Sequence, residues 1–262
     1  MNLPYVQRLS NELLRLILDQ IEPDPDKTVP IDRRQFLSVE SFDRPPPSSR
    51  GSVRDIGSFR ATCRRFAAIG EPLLFTRVAA RFSHKGLEKL QKLAEWPHLS
   101  RHVKKFTYLV PYFYAAVPGD RLLLPAVDVR EIGSEAIVKL KDKAYEQLWI
   151  LKSGRDVEVL KSAIASFTSL QLVQLLRVTE EEDDRLLKYI HQHEDQRLHL
   201  EWAQACSHSS KTIGEALLSA EVPWSRFSSP MLSPQSARFL TKSQPQSVRT
   251  LAARLTCLTL RK

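Results

Sequence analysis

Glycine is scarce, with 8 residues in a chain of 262. None of them stands in a G-x-x-x-x-G-K or G-x-G-x-x-G setting, so the sequence offers no backbone cradle for phosphates. A G-x-S-x-G elbow and an H-E-x-x-H pair are missing as well, which excludes the hydrolases built on them. Cysteine is equally thin. Cys63, Cys206 and Cys257 lie far apart and are odd in number, which suits a reducing compartment and argues against a disulfide framework or a local zinc site. Charges interrupt every apolar run well short of the ~18 residues of a membrane span. The first residues lack the basic, apolar and small-residue order of a secretory leader. Together these absences predict a non-catalytic intracellular protein, cytoplasmic or nuclear, with no cofactor, no metal and no membrane partner.

What is present is ordinary for a folded chain: 42% hydrophobic and 26% charged residues. The formal charge of +9 favours acidic partners without naming one. Residues 9–21, LSNELLRLILDQI, place Leu9, Leu13, Leu14, Ile17, Leu18 and Ile21 on one broad helix face. Ser10 is positioned to cap that helix, with Glu12 in the positive first turn. Pro23 and Pro25 stop it. Residues 22–55, with PDPD and RPPPSSRG, hold no regular period and bury little, so they read as a mobile, disordered insertion. Helical spacing resumes with Ile56, Phe59, Cys63 and Phe66, while Arg60, Arg64 and Arg65 occupy other faces. Gly70 reads as a helix stop, and Glu71-Pro72 as the start of a short third helix carrying Leu73, Leu74 and Phe75. Three short helices enclose little core, so such a unit must lean on something else.

Beyond residue 80 short strand-like runs follow helix-like segments. HVKKFTYLV (102–110) follows HKGLEKLQKLAEW, and SLQLVQLLRV (169–178), with Leu170, Leu172 and Val173, follows a helical region from Ser134 to Phe167. RLHLEW (197–202) alternates Leu198, Leu200 and Trp202, after a helix whose opening TEEED gives Thr179 and Glu182 capping-box spacing. LAARLTCLTL (251–260) has Leu255, Leu258 and Leu260 as L-x-x-L-x-L, a leucine-rich-repeat signature in one copy. Helix then strand, repeatedly, is the grammar of an αβ solenoid with a parallel sheet, here with unequal spacings; a conventional α/β domain is the alternative. The chain ends at LTCLTLRK, where a solenoid ordinarily carries a polar cap, so the array reads as incomplete there. The expected division is residues 1–80 and 81–262.

The order LSNELLRLIL, then FRATCRRFAAIGEPLLFTRV, resembles an F-box of the fungal kind. That family's pattern is roughly L-P-x-E-[LI]-[LV]-x-x-I-[LF], a loop, then [LF]-R-x-[VT]-C-[RK]-x-[FW]. Leu9, Glu12, Leu13, Leu14, Ile17 and Leu18 match the first part; Phe59, Arg60, Cys63, Arg64 and Phe66 match the second. Ser10 stands where the family usually has proline, and the loop at 22–55 is far longer than usual; extending a loop costs little closure entropy, so the unit survives it. The later segments look like the divergent repeats that follow F-boxes in filamentous-fungal proteins. The resemblance implies a three-helix unit whose open face a Skp-type adaptor completes, and through it a cullin ubiquitin ligase. The implied role is a substrate receptor for an unidentified protein target, with adaptor contact through Leu9, Leu13, Leu14, Ile17, Phe59, Cys63, Phe66 and Leu74. The alternatives are an F-box-like scaffold without ligase assembly and a basic nucleic-acid-binding protein.

Other chemistry-bearing residues have plainer readings. Cys63 beside Arg64 and Arg65 reads as a packing cysteine on an apolar face rather than a nucleophile. His191, His193 and Glu194 diverge on a helix and do not converge on a metal, even with His199 nearby. The clusters Arg64-Arg65 and Arg101 to Lys105 read as solvated faces, since no interleaved aromatics or zinc-finger spacing accompany them. The acids from Glu180 to Asp184 read as a solvated helix start. Trp202, Trp224 and Phe227 are either target-binding or buried, and PWSRFSSPMLSPQS (223–236) reads as a surface loop.

Overall fold

The computed structural model describes residues 5–21, 47–114, 116–117, 121–122, 129–193, 200–220, 222, 226–228 and 257–259. The chain divides into two compact units, Met1–Arg77 and Val78–Lys262. The boundary falls just before residue 80, where the sequence pattern changes.

In the first unit a 3-10 turn over Tyr5–Arg8 leads into helix α1, Asn11–Ile21. Ser10 Oγ accepts from the Leu13 amide at 3.3 Å, which satisfies one of the amides a helix start leaves unpaired. Helix α2 is Pro47–Thr62 and helix α3 is Arg64–Phe75. Two expectations are corrected here. Residues 22–46 lie outside the described residues, but from Pro47 the span read as a loop is helical. Proline at the first helical position gives up no bond, because that amide has no intrahelical acceptor, and its fixed φ suits the turn. The second correction is the break between helices. It falls at Cys63, extended at φ −164° and ψ 166°, and α3 then runs straight through Gly70 and Pro72. Gly70 serves for space rather than termination: a Cβ there would lie 2.7 Å from Cγ of Arg60. Arg60 lies across it, its Nε donating to the Ala67 carbonyl at 3.3 Å and its guanidinium 3.9 Å from Glu71.

The core of this unit is small: Leu14, Leu18, Ile56, Phe66 and Ile69 are buried together, with Leu9, Phe59, Cys63, Leu73 and Leu74 packed around them. The Phe59 and Phe66 rings stack across the Cys63 bend, centroids 4.4 Å apart. Each buried Leu, Ile or Phe stabilises by about 1.5–3 kcal/mol, so five of them hold a modest unit together.

The second unit is organised by a five-stranded sheet whose spatial order is also its order in the chain: β1 (Arg77–Arg81), β2 (Lys105–Val110), β6 (Leu172–Arg177), β8 (Arg226–Ser228) and β9 (Cys257–Thr259). From β2 onward the pairs are parallel, in the registers Phe106↔Val173, Val173↔Phe227 and Phe227↔Leu258. Strand starts at 77, 105, 172, 226 and 257 are unequal intervals. Between the first two strands run α4 (His84–Ala94) and α5 (Pro97–Ser100). Between β2 and β6 come short strands β3 (Phe113–Tyr114), β4 (Ala116–Val117) and β5 (Arg121–Leu122), then α6 (Val129–Ile132), α7 (Ser134–Ser153) and α8 (Arg155–Ser166). Before β8 come α9 (Glu181–His193), β7 (Leu200–Glu201) and α10 (Trp202–Ser219).

Period-two burial along β2 is clean: Phe106, Tyr108 and Val110 point inward and are fully buried. The long helical region expected from Ser134 to Phe167 is two helices, parted at Gly154, whose φ of +65° favours the residue without a Cβ. Two strand readings are revised. Trp202 opens α10, and Leu200–Glu201 pairs antiparallel with β3 outside the main sheet; Leu198 lies outside the described residues. The main-sheet strand at that place in the order is instead Arg226–Ser228, inside the stretch read as a surface loop. Serine and proline on both sides of Phe227 disguise three residues as a turn. Trp224, Leu255 and Leu260 lie outside the described residues. No helix among the described residues is long and apolar enough to cross a membrane.

Candidate functional site

Helix α1 carries apolar side chains on two separate stripes. At roughly 100° per residue, Leu14 and Leu18 point nearly the same way, while Leu13 lies between Leu16 and Ile17 on a face about 100° wide, centred about a third of a turn away. The first stripe is sealed, with Leu14 and Leu18 fully buried in the unit's own core. The second faces outward, with Leu13 48%, Leu16 58% and Ile17 44% exposed. Three large aliphatic side chains held side by side in water are costly unless something covers them, which is what makes this face a candidate binding surface.

The helix is fixed in place from below. Arg65 Nε donates to Asn11 Oδ1 at 2.7 Å, and its Nη2 donates to the Leu9 carbonyl at 2.5 Å. Arg65, read from the sequence as part of a solvated basic cluster, is thus a clamp between α3 and the start of α1. Glu12, in the first turn, is held below the usual carboxylate range, first by a hydrogen bond from its own backbone amide and then by Ser10.

The eight residues expected at the adaptor surface separate into groups. Leu13 and Ile17 are exposed, while Leu9, Phe59, Cys63 and Leu74 are half-buried at the border of the small core. Leu14 and Phe66 are corrected: both are buried within the unit, leaving no surface for a second protein. Periodicity shows that positions share a broad face without saying which half of it the chain covers itself. Leu16 was not among the expected residues although it adjoins Leu13 and Ile17; its i+3 spacing from Leu13 was the available signal.

In the second unit the notable chemistry is a buried polar cluster at the start of α9. The box expected from Thr179 and Glu182 sits one residue later: Asp183 Oδ2 accepts from the Glu180 amide at 2.8 Å. Glu181 and Asp184 are exposed as expected, but Asp183 is buried and Glu180 and Glu182 are half-buried. Lys143 Nζ lies 2.5 Å from Glu180, 2.7 Å from Glu182 and 3.2 Å from the fully buried Asp183. Arg81 meets Glu180 at 2.5 Å, and the Tyr114 hydroxyl donates to Asp183. Burial works against ionisation of Glu180, but hydrogen bonds from Arg81 and Lys143 outweigh it and draw its pKa down to about 2. Burial, reinforced by Asp183, pushes the Tyr114 phenol up. With cations and anions interlocked and hydrogen-bonded, this cluster ties α7, β1 and α9 together.

A second pair joins the half-buried His208, through Nε2 on α10, to Oδ2 of the buried Asp156 on α8 at 2.7 Å, with the His208 ring against Phe82 and Phe113. Cys206 is buried beside Ser210 on the same helix. His193 meets Glu131 at 2.7 Å at an exposed helix end. No group of three or more His, Cys, Asp or Glu side chains able to hold a metal ion occurs among the described residues. His199 and Glu194 lie outside them. No known protein family, curated protein or solved structure matches this chain.

Proposed function

We propose that this chain is a non-catalytic substrate receptor of a Skp–cullin–F-box ubiquitin ligase, recruiting a protein target for ubiquitination. The observation that carries the reading is the outward stripe Leu13, Leu16 and Ile17 on a helix whose other stripe is already satisfied. The order L-x-x-E-L-L, then C-R-R-F, on three helices around a five-residue core supports it, since the F-box pattern places its residues in that order. The partner is a Skp-type adaptor that covers the stripe, with Leu9, Phe59, Cys63 and Leu74 at its border. The second unit holds the target. Its parallel strands, laid down in chain order with helices between β2 and β6 and between β6 and β8, are how an irregular leucine-rich-repeat-like αβ array grows. No bond is made or broken on such a protein; it raises the local concentration of target beside a ubiquitin-charged enzyme.

Co-purification of the full chain with a Skp-type adaptor and a cullin tests this. The wild type should retain both, and Leu13→Asp combined with Ile17→Asp should lose both while its thermal unfolding stays unchanged. Retention of the adaptor by the doubly charged variant overturns the assignment of the surface. Adaptor without cullin would favour an F-box-like scaffold that does not enter a ligase.

A further inference from the structure

A second exposed apolar stripe runs along α7. Its inner face buries Ala136, Ile137, Leu140, Ala144 and Ile150, as a helix of a folded unit should. Its outer face nevertheless carries Val138, Tyr145 and Trp149, which are 56%, 60% and 52% exposed. With Glu135, Asp142 and Lys152, all exposed, they form a row at 135, 138, 142, 145, 149 and 152, in which Glu135 also pairs with Lys139 of its own helix at 2.7 Å. The steps alternate three and four residues, the spacing with which one helix lies along another. His84, against the Trp149 ring at 4.5 Å between centroids, borders the row on one side.

The row reads as its own complement when reversed. Set antiparallel about a two-fold axis between Asp142 and Tyr145, it pairs Glu135 with the partner's Lys152 and Val138 with the partner's Trp149. Asp142 then meets the partner's Tyr145, a carboxylate opposite a hydroxyl. Acid stands at one end and base at the other, so the antiparallel arrangement is attractive at both ends. A parallel one sets like charges against each other. A surface that satisfies itself under a two-fold rotation is what an isologous dimer requires. We infer that the outer face of α7 is a dimer seam, and that its occupant is α7 of a second copy of this chain.

The seam lies on the second unit and owes nothing to the ligase reading. If both hold, one assembly presents two adaptor surfaces and two target-binding units, which adds avidity for a target with two copies of its recognition feature.

Sedimentation of the full chain over a concentration series tests the inference, with far-ultraviolet circular dichroism as the check on folding. The wild type should pass from monomer to dimer as concentration rises, and W149E should stay monomeric with an unchanged spectrum. E135K sets two lysines against each other at each end and should weaken dimerisation tenfold or more. K152E should do the same with two glutamates, and E135K combined with K152E should restore it. A purely structural role for either residue gives no such rescue. A wild type that is monomeric throughout, a dimer that survives W149E, or a double variant no better than its singles would each overturn the proposal.

Discussion

Leu13 and Leu14 are consecutive on α1 and have opposite surroundings: Leu13 stands nearly half exposed while Leu14 has no accessible surface. A helix turns about 100° per residue, so one step carries a side chain from the water to the core. The same residue type therefore does two jobs. Leu14→Ala removes buried methyl groups from a five-residue core and should cost about 2–5 kcal/mol, read as a lowered unfolding midpoint of the amino-terminal unit. Leu13→Ala should shift that midpoint by under about 0.5 kcal/mol. Similar losses for the two would show that the stripe containing Leu13 is covered by the chain itself.

Lys143 offers a second comparison. Its ammonium is hydrogen-bonded among Glu180, Glu182 and the buried Asp183, and those bonds raise its pKa despite the opposing effect of burial. Removing the cation that these three acids share leaves charge stranded in a low-dielectric site. Lys143→Met should cost about 3–5 kcal/mol in urea unfolding. Lys139, paired one turn away with Glu135 at 2.7 Å in open solvent, should cost under about 1 kcal/mol when made Met. Equal costs would mean that the cluster is wet and screened.

The same cluster sets an acid limit. The Glu180 carboxyl has a folded pKa drawn down to about 2, against 4.5 for an unperturbed glutamate. The folded state thus binds its proton less readily than the unfolded state, and the carboxylate's contribution is fully present above pH 4.5. It should be lost as pH falls from 4.5 toward 2, where protonation breaks the bonds to Arg81 and Lys143. Glu180→Gln should therefore flatten the fall of Tm across that window and leave the neutral-pH difference from wild type as its main effect. A parallel fall of both proteins would place the acid sensitivity elsewhere.

Legibility of the fold followed where the forces act. Strands β2 and β6 could be read because Phe106 and Val173 within them are apolar and fully buried, as are Val103 and Leu170 just ahead of them, and burial is what patterning records. The capping role of Ser10 was equally readable, since it depends on residues three apart. Strand Arg226–Ser228 was hidden, because its main-chain pairing with Leu172–Gln174 is made far along the chain and only Phe227 carries an apolar mark. Gly70 misled for a related reason. A glycine that allows a close approach by Arg60 and one that ends a helix look alike in sequence. At the candidate site, the apolar face of α1 was legible, but its division into covered and open stripes depended on Ile56, Phe66 and Ile69, which arrive from two other helices.

Gly154 supplies the last prediction, because there backbone and packing effects separate. It joins α7 to α8 at φ +65°, ψ 18°, and a Cβ built on it meets nothing within 4 Å. Crowding is thus no obstacle to substitution, and only the left-handed conformation is. Alanine there should cost roughly 1–2 kcal/mol, the penalty for an L-residue in that region. Asparagine tolerates the region better, because its side chain bonds locally to the backbone, and should cost less than alanine despite being larger. The urea midpoint of Gly154→Asn should fall below wild type, and that of Gly154→Ala lower still. If size mattered instead, asparagine would be the worse of the two, and the turn between α7 and α8 would have to be closed by side chains rather than by the backbone.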